Sequence, residues 1–109
     1  MLTLRKHELK GHDVFEFMQG ELLDDHWLDN SIYLTEEVLN ETQLIEAFNN
    51  SSVNFNYYGP TVVNKETWEC IKQEVLTSSS IKTQKLLLEI DTWANICFKN
   101  HHCFTICGI

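Results

Sequence analysis

Residues 81–100 constrain most strongly what this chain can fold into. Leu86, Ile90, Trp93 and Cys97 fall on one stripe at helical spacing, with Leu87, Ala94 and Phe98 beside it. A helix with so wide an apolar face must be covered on most sides, which predicts a central core helix against which the rest packs. The 109 residues available suffice for one domain, 1–109, burying roughly two thirds of the surface of its unfolded form. Directly after the helix, Cys103-Phe104-Thr105-Ile106-Cys107 is an apolar, β-prone run, expected to be a strand buried against the helices.

Other segments supply partners for that core. Asn64 is placed to cap a helix from 65 to about 76, with Trp68, Ile71 and Val75 on one side and Ser78-Ser79-Ser80 as its break. Thr35 is placed to cap another, in which Val38, Leu44, Ile45 and Phe48 recur at helical spacing up to Asn49-Asn50. Val53, Phe55 and Tyr57 alternate with Asn54, Asn56 and Tyr58, which predicts a strand ended by Gly59-Pro60. Two patterns compete in residues 1–30. Asp13 with Glu16 has the form of a capping box opening a helix at Val14, whereas Phe15 and Phe17 flanking Glu16 fit the alternation of a strand. No repeat or Pro/Gly-rich linker divides the chain. The expected class is α+β, a single domain of three to four helices packed with a small sheet, helix in excess of strand.

Charge is distributed very unevenly. Between Gly11 and Asn64 there is no lysine or arginine, yet Asp13, Glu16, Glu21, Asp24, Asp25, Asp29, Glu36, Glu37, Glu41 and Glu46 lie there, while the whole chain has a net charge of −8. A field of one sign repels nucleic acid and anionic lipid and speeds encounter with a basic protein partner. Direct binding of nucleic acid is therefore not expected. The start, Met1-Leu2-Thr3-Leu4-Arg5-Lys6-His7-Glu8, is charged where a secretory signal needs an apolar run, and no segment approaches the roughly 20 apolar residues of a membrane span. A cytoplasmic location is expected, away from membranes, with Cys70, Cys97, Cys103 and Cys107 as thiols.

His101, His102, Cys103 and Cys107, with Cys97 upstream, include the residue types of a zinc site, but a strand over 103–107 would hold its two cysteines roughly 13 Å apart. Packed thiols are expected instead, and no metal or cofactor. Cys97 or Cys103 with His101 or His102 could pair a nucleophile with a base, yet there is no nucleophile elbow, phosphate-cradling glycine loop or H-E-x-x-H helix to support catalysis. The run Glu21-Leu22-Leu23-Asp24-Asp25-His26-Trp27-Leu28-Asp29-Asn30 mixes steering charge with a large aromatic, as interfaces do. Trp27 is the candidate anchor there, with core packing as the competing role. Tyr33, Tyr57 and Tyr58 extend the aromatic supply.

The acid-aromatic stretch 21–29, the acids Glu36 and Glu37, and the ending Trp93, Cys97 and Phe104-Thr105-Ile106-Cys107-Gly108-Ile109 resemble the small acidic immunity proteins that bacteria make against their own contact-delivered or other polymorphic toxins. The resemblance implies a bacterial, non-enzymatic protein that binds and occludes one cognate toxin domain, often a nuclease with a basic cleft. The residues expected at such a contact are Glu21, Asp24, Asp25, Trp27, Asp29, Tyr33, Glu36, Glu37 and Glu41. The alternatives are an acidic nucleic-acid mimic of phage type, and a small metal or thiol protein built on the Cys/His-rich tail.

Overall fold

A computed structural model describes residues 2–11 and 13–108. Among these residues, four α-helices and four strands follow the order β1 (Val14–Gln19), β2 (Ile32–Thr35), α1 (Glu36–Asn40), α2 (Leu44–Asn50), β3 (Thr61–Asn64), α3 (Lys65–Ser78), α4 (Ile81–Cys97) and β4 (Cys103–Cys107). The class is α+β, with helix in excess of strand. The strands form one antiparallel sheet in the order β2-β1-β4-β3, so the last strand of the chain lies between the first and the third.

Side chains of a strand alternate between the two faces of its sheet. Phe15 and Phe17 of β1, Phe104 and Ile106 of β4 and Val63 of β3 therefore join Trp68, Ile71 and Val75 of α3 and Leu86, Ile90 and Trp93 of α4 in one core. Phe104 is its hub, with ring centroids 5.4 Å from Trp68, 5.5 Å from Trp93 and 5.9 Å from Phe17. α3 starts at its expected cap, Asn64 Oδ1 accepting from the Thr67 amide at 2.8 Å, and the Ser80 side chain, expected only as part of a break between helices, caps α4 by accepting from the Thr83 amide.

In residues 13–19 the strand pattern prevails over the capping box. Every residue from Val14 to Met18 is buried, which a strand covered on both faces achieves and a short surface helix does not. The N-terminal segment closes the outer edge of β2, where the Leu4 and Tyr33 backbones exchange two hydrogen bonds of 2.8 Å. Glu89 of α4 holds that segment, accepting from the Leu2 and Thr3 amides at 3.1 and 2.9 Å.

Two expectations are corrected. The helix capped by Thr35 is broken at residues 41–43 into α1 and α2, because the Gln43 amide turns to the Thr83 hydroxyl of α4 at 3.0 Å and the Thr42 hydroxyl donates to the Leu39 carbonyl at 3.1 Å. Short polar side chains that bond the local backbone compete with helix continuation. The strand expected at residues 53–57 has no ladder. Its alternation of half-buried and exposed residues is real, but side chains take its amides: Phe55 N donates to Asn49 Oδ1, Asn56 N to Thr61 Oγ1 and Tyr58 N to Asn56 Oδ1. Phe55 stacks on Phe48 at 5.5 Å and Tyr57 meets Phe15 edge-on at 5.2 Å, so the segment packs as a strap beside the sheet. The strand of this region is β3, which begins at Thr61, beyond the Gly59-Pro60 turn expected to end the strand. Gly59, at φ +101°, and Gly108 pass back to back here; a Cβ on Gly108 would come within 2.2 Å of the Gly59 nitrogen.

Candidate partner-binding face

The connection between β1 and β2, residues 20–31, is far longer than the roughly two to five residues of an ordinary hairpin loop. It folds back on itself around one buried acid. Glu16, only 3% exposed, accepts from the Trp27 amide at 2.9 Å through Oε1, and from the Leu28 amide at 3.0 Å and the Ser31 hydroxyl at 2.7 Å through Oε2. The Tyr33 hydroxyl donates to the Leu28 carbonyl at 2.7 Å and lies 3.4 Å from the same carboxylate oxygen. His26 Nδ1 stands 3.7 Å from Oε1. A carboxylate is tolerated away from water when several donors converge on it, and here those donors come from the loop that the acid holds.

These bonds give the loop a defined shape. Trp27 adopts φ +61°, a left-handed conformation that is uncommon for a bulky residue and persists where its surroundings impose it. Its half-buried ring stacks on Tyr33 with centroids 5.9 Å apart and planes 16° from parallel. Trp27 thus has one ring face on a core tyrosine while the remainder reaches the surface. Trp27→Ala should lower stability by about 1–2 kcal/mol, the scale of a half-buried aromatic contact. A urea melt of the free protein measures this, and a loss as large as that of Trp68→Ala would make the residue a full core member.

The structure gathers some of the expected contact residues and separates others. Glu21, Asp24, Asp25 and Asp29 are exposed on the one loop that carries Trp27. Tyr33 is fully buried beneath it, under the stacked Trp27 ring, so the contact expected of Tyr33 is not offered at the surface. Glu36, Glu37 and Glu41 are also exposed, but Glu36 and Glu37 open α1 at the far end of β2, roughly 10 Å along the strand, and Glu41 pairs with Lys82 of α4. Asp29 lies 3.7 Å from Lys6. Among the described residues, Glu21, Asp24, Asp25, Glu36 and Glu37 have no ion-pair partner. Sequence reasoning missed Leu22 and Leu23, 49% and 48% exposed between the loop acids. Adjacent leucines framed by Glu21 and Asp24-Asp25 were the available signal.

The tail thiols are held protonated near neutrality. Burial raises Cys97 and Cys103, and burial with the nearby Glu16 charge raises Cys107 from 9.0 to about 11. Burial, then Glu16, likewise moves the Tyr33 hydroxyl from 10.0 to about 12. Both groups lose their protons more readily in the unfolded chain, so their stabilising contribution is complete below pH 9 and disappears as the pH rises through 11 for Cys107 and 12 for Tyr33. The Tyr33 share is about 2–3 kcal/mol. Melting temperature should therefore fall across this alkaline window in step with phenolate absorbance; Tyr33→Phe should flatten the upper part of the fall, and a wild-type profile level to pH 12 would contradict the assignment.

Among the described residues, no group of three or more His, Cys, Asp or Glu is placed to hold a metal ion, and no helix is long and apolar enough to cross a membrane. Compared with protein-family models, with curated proteins and with solved structures, the chain finds no match.

Proposed function

We propose that this chain is a non-enzymatic inhibitor of the bacterial immunity type, acting in the cytoplasm by docking its acidic loop on a basic surface of one cognate toxin domain. The observation that carries this reading is the presentation of charge. Glu21, Asp24 and Asp25 stand exposed without an ion-pair partner among the described residues, on a loop whose backbone is fastened by the buried Glu16. A loop anchored at Trp27 and Leu28 loses less conformational freedom on binding than an unanchored one, which favours affinity. Unpaired acids draw a basic partner in, and Leu22, Leu23 and the outer part of Trp27 supply contact area that slows its release.

Reversing Asp24, Asp25 and Asp29 to lysine tests the face. Association with the partner recovered by affinity capture should slow about tenfold or more at low salt, with the circular dichroism spectrum unchanged. The wild-type rate should also fall as salt rises, because exposed charges are screened beyond about 8 Å at physiological ionic strength. A triple variant that associates as fast as its parent, or a rate indifferent to salt, would remove this loop from the interface.

A further inference from the structure

Beside the acidic loop, where the end of β1 meets the start of β4, lies an open cleft of about 390 Å³ lined by Glu21, Leu23 and Asn30 from one connection and by His101 and His102 from the other. Its wall is rigid. The Gly20 amide donates to the Cys103 carbonyl at 2.9 Å, the Gly20 carbonyl accepts from the Thr105 hydroxyl at 2.8 Å, and the His101 amide donates to the Cys97 carbonyl at 3.0 Å. Gly20, at φ +78°, lets the His101 ring close in; a Cβ there would lie 2.7 Å from Nδ1. Glu21 is the carboxylate of the lining and has no ion-pair partner among the described residues.

We propose that this cleft receives an arginine side chain of the protein partner, its aliphatic stem along Leu23, its guanidinium paired with Glu21 and laid against the histidine rings. Each part of the cleft matches one part of that side chain. A guanidinium presents a planar fork that fits a carboxylate in a bidentate way, stacks on flat rings and is weakly hydrated, whereas a lysine ammonium is a strongly hydrated point charge with no plane to stack. Long cationic side chains also cover apolar surface with their methylenes while the head stays polar. Such an arginine would belong to the basic surface proposed above to dock on the loop, and the assignment rests on that reading.

The test needs no partner, so its failure is separable from failure of the docking face. N-acetyl-arginine amide titrated into the protein, followed by NMR, should shift the amide signals of Glu21, Leu23, His101 and His102 along a saturable curve. The affinity should drop at least about fivefold in Glu21→Gln and stay unchanged in Asp13→Asn, a substitution at the other end of β1. N-acetyl-lysine amide should bind several-fold more weakly, and N-acetyl-glutamate amide should cause no saturable shift. Shifts scattered over the surface, undiminished binding by Glu21→Gln, or equal binding of the lysine probe would each overturn the assignment.

Discussion

A chain ending at His102 should not fold. β4 is hydrogen-bonded to β1 on one side and to β3 on the other, so its loss leaves β3 without a neighbour and opens the centre of the sheet. It also uncovers the ring cluster around Phe104, whose side chain is fully buried against Phe17, Trp68 and Trp93. Domains of this size are stable by about 5–15 kcal/mol, and five buried residues together with the ladder they complete account for a large part of that margin. The point substitution Phe104→Ala should cost about 3–5 kcal/mol, the usual penalty for emptying a packed aromatic site. Far-ultraviolet circular dichroism of the truncated chain and denaturant melts of Phe104→Ala are the measurements; a truncated chain with a cooperative melt at the parental midpoint would refute the central place of β4.

Glu16→Ala should be the most damaging substitution of a charged residue. It leaves the Trp27 and Leu28 amides and the Ser31 hydroxyl without the acceptor that joins them. Buried donors stranded in this way cost about 1–3 kcal/mol each, reduced where the loop can open and let water in. A total of roughly 3–5 kcal/mol is expected, with Glu16→Gln in between, since its amide keeps one acceptor oxygen and sets a donor against another donor. Hydrogen exchange supplies the local readout. The Trp27 and Leu28 amides should exchange much faster in Glu16→Ala, relative to the amides of α4, than in the parent. Exchange that rises uniformly over the whole chain would instead make Glu16 a general contributor to stability with no special hold on the loop.

These two sites mark different degrees of legibility in the sequence. β4 could be read directly, because Phe104 and Ile106 alternate with smaller residues and a buried strand needs little more. α3 and α4 were legible for the same reason, as their apolar stripes, the Asn64 cap and the serine break between the two helices are all local signals. Glu16 could not be read in this way. Its spacing from Asp13 has the form of a helix cap, and nothing local tells that its bonding partners are 11, 12 and 15 residues onward.

The break at residues 41–43 has a similar origin, since the Gln43 amide finds its acceptor 40 residues away in Thr83. Residues 53–57 show the complementary case. The alternation correctly marks which side chains face inward, but a strand is defined by its neighbour, and the asparagine and threonine side chains satisfy this backbone first. The cleft beside the loop joins residues near 20 to residues near 101 and has no counterpart in any single segment. What the sequence alone determined is therefore the periodic part: the core helices, the buried final strand, and the charge imbalance that singles out one half of the chain. What the tertiary structure decided is where each acid stands, one buried as a fastener and others exposed as a face, because hydrogen-bond partners brought together by folding, and not local spacing, set whether a carboxylate can leave water.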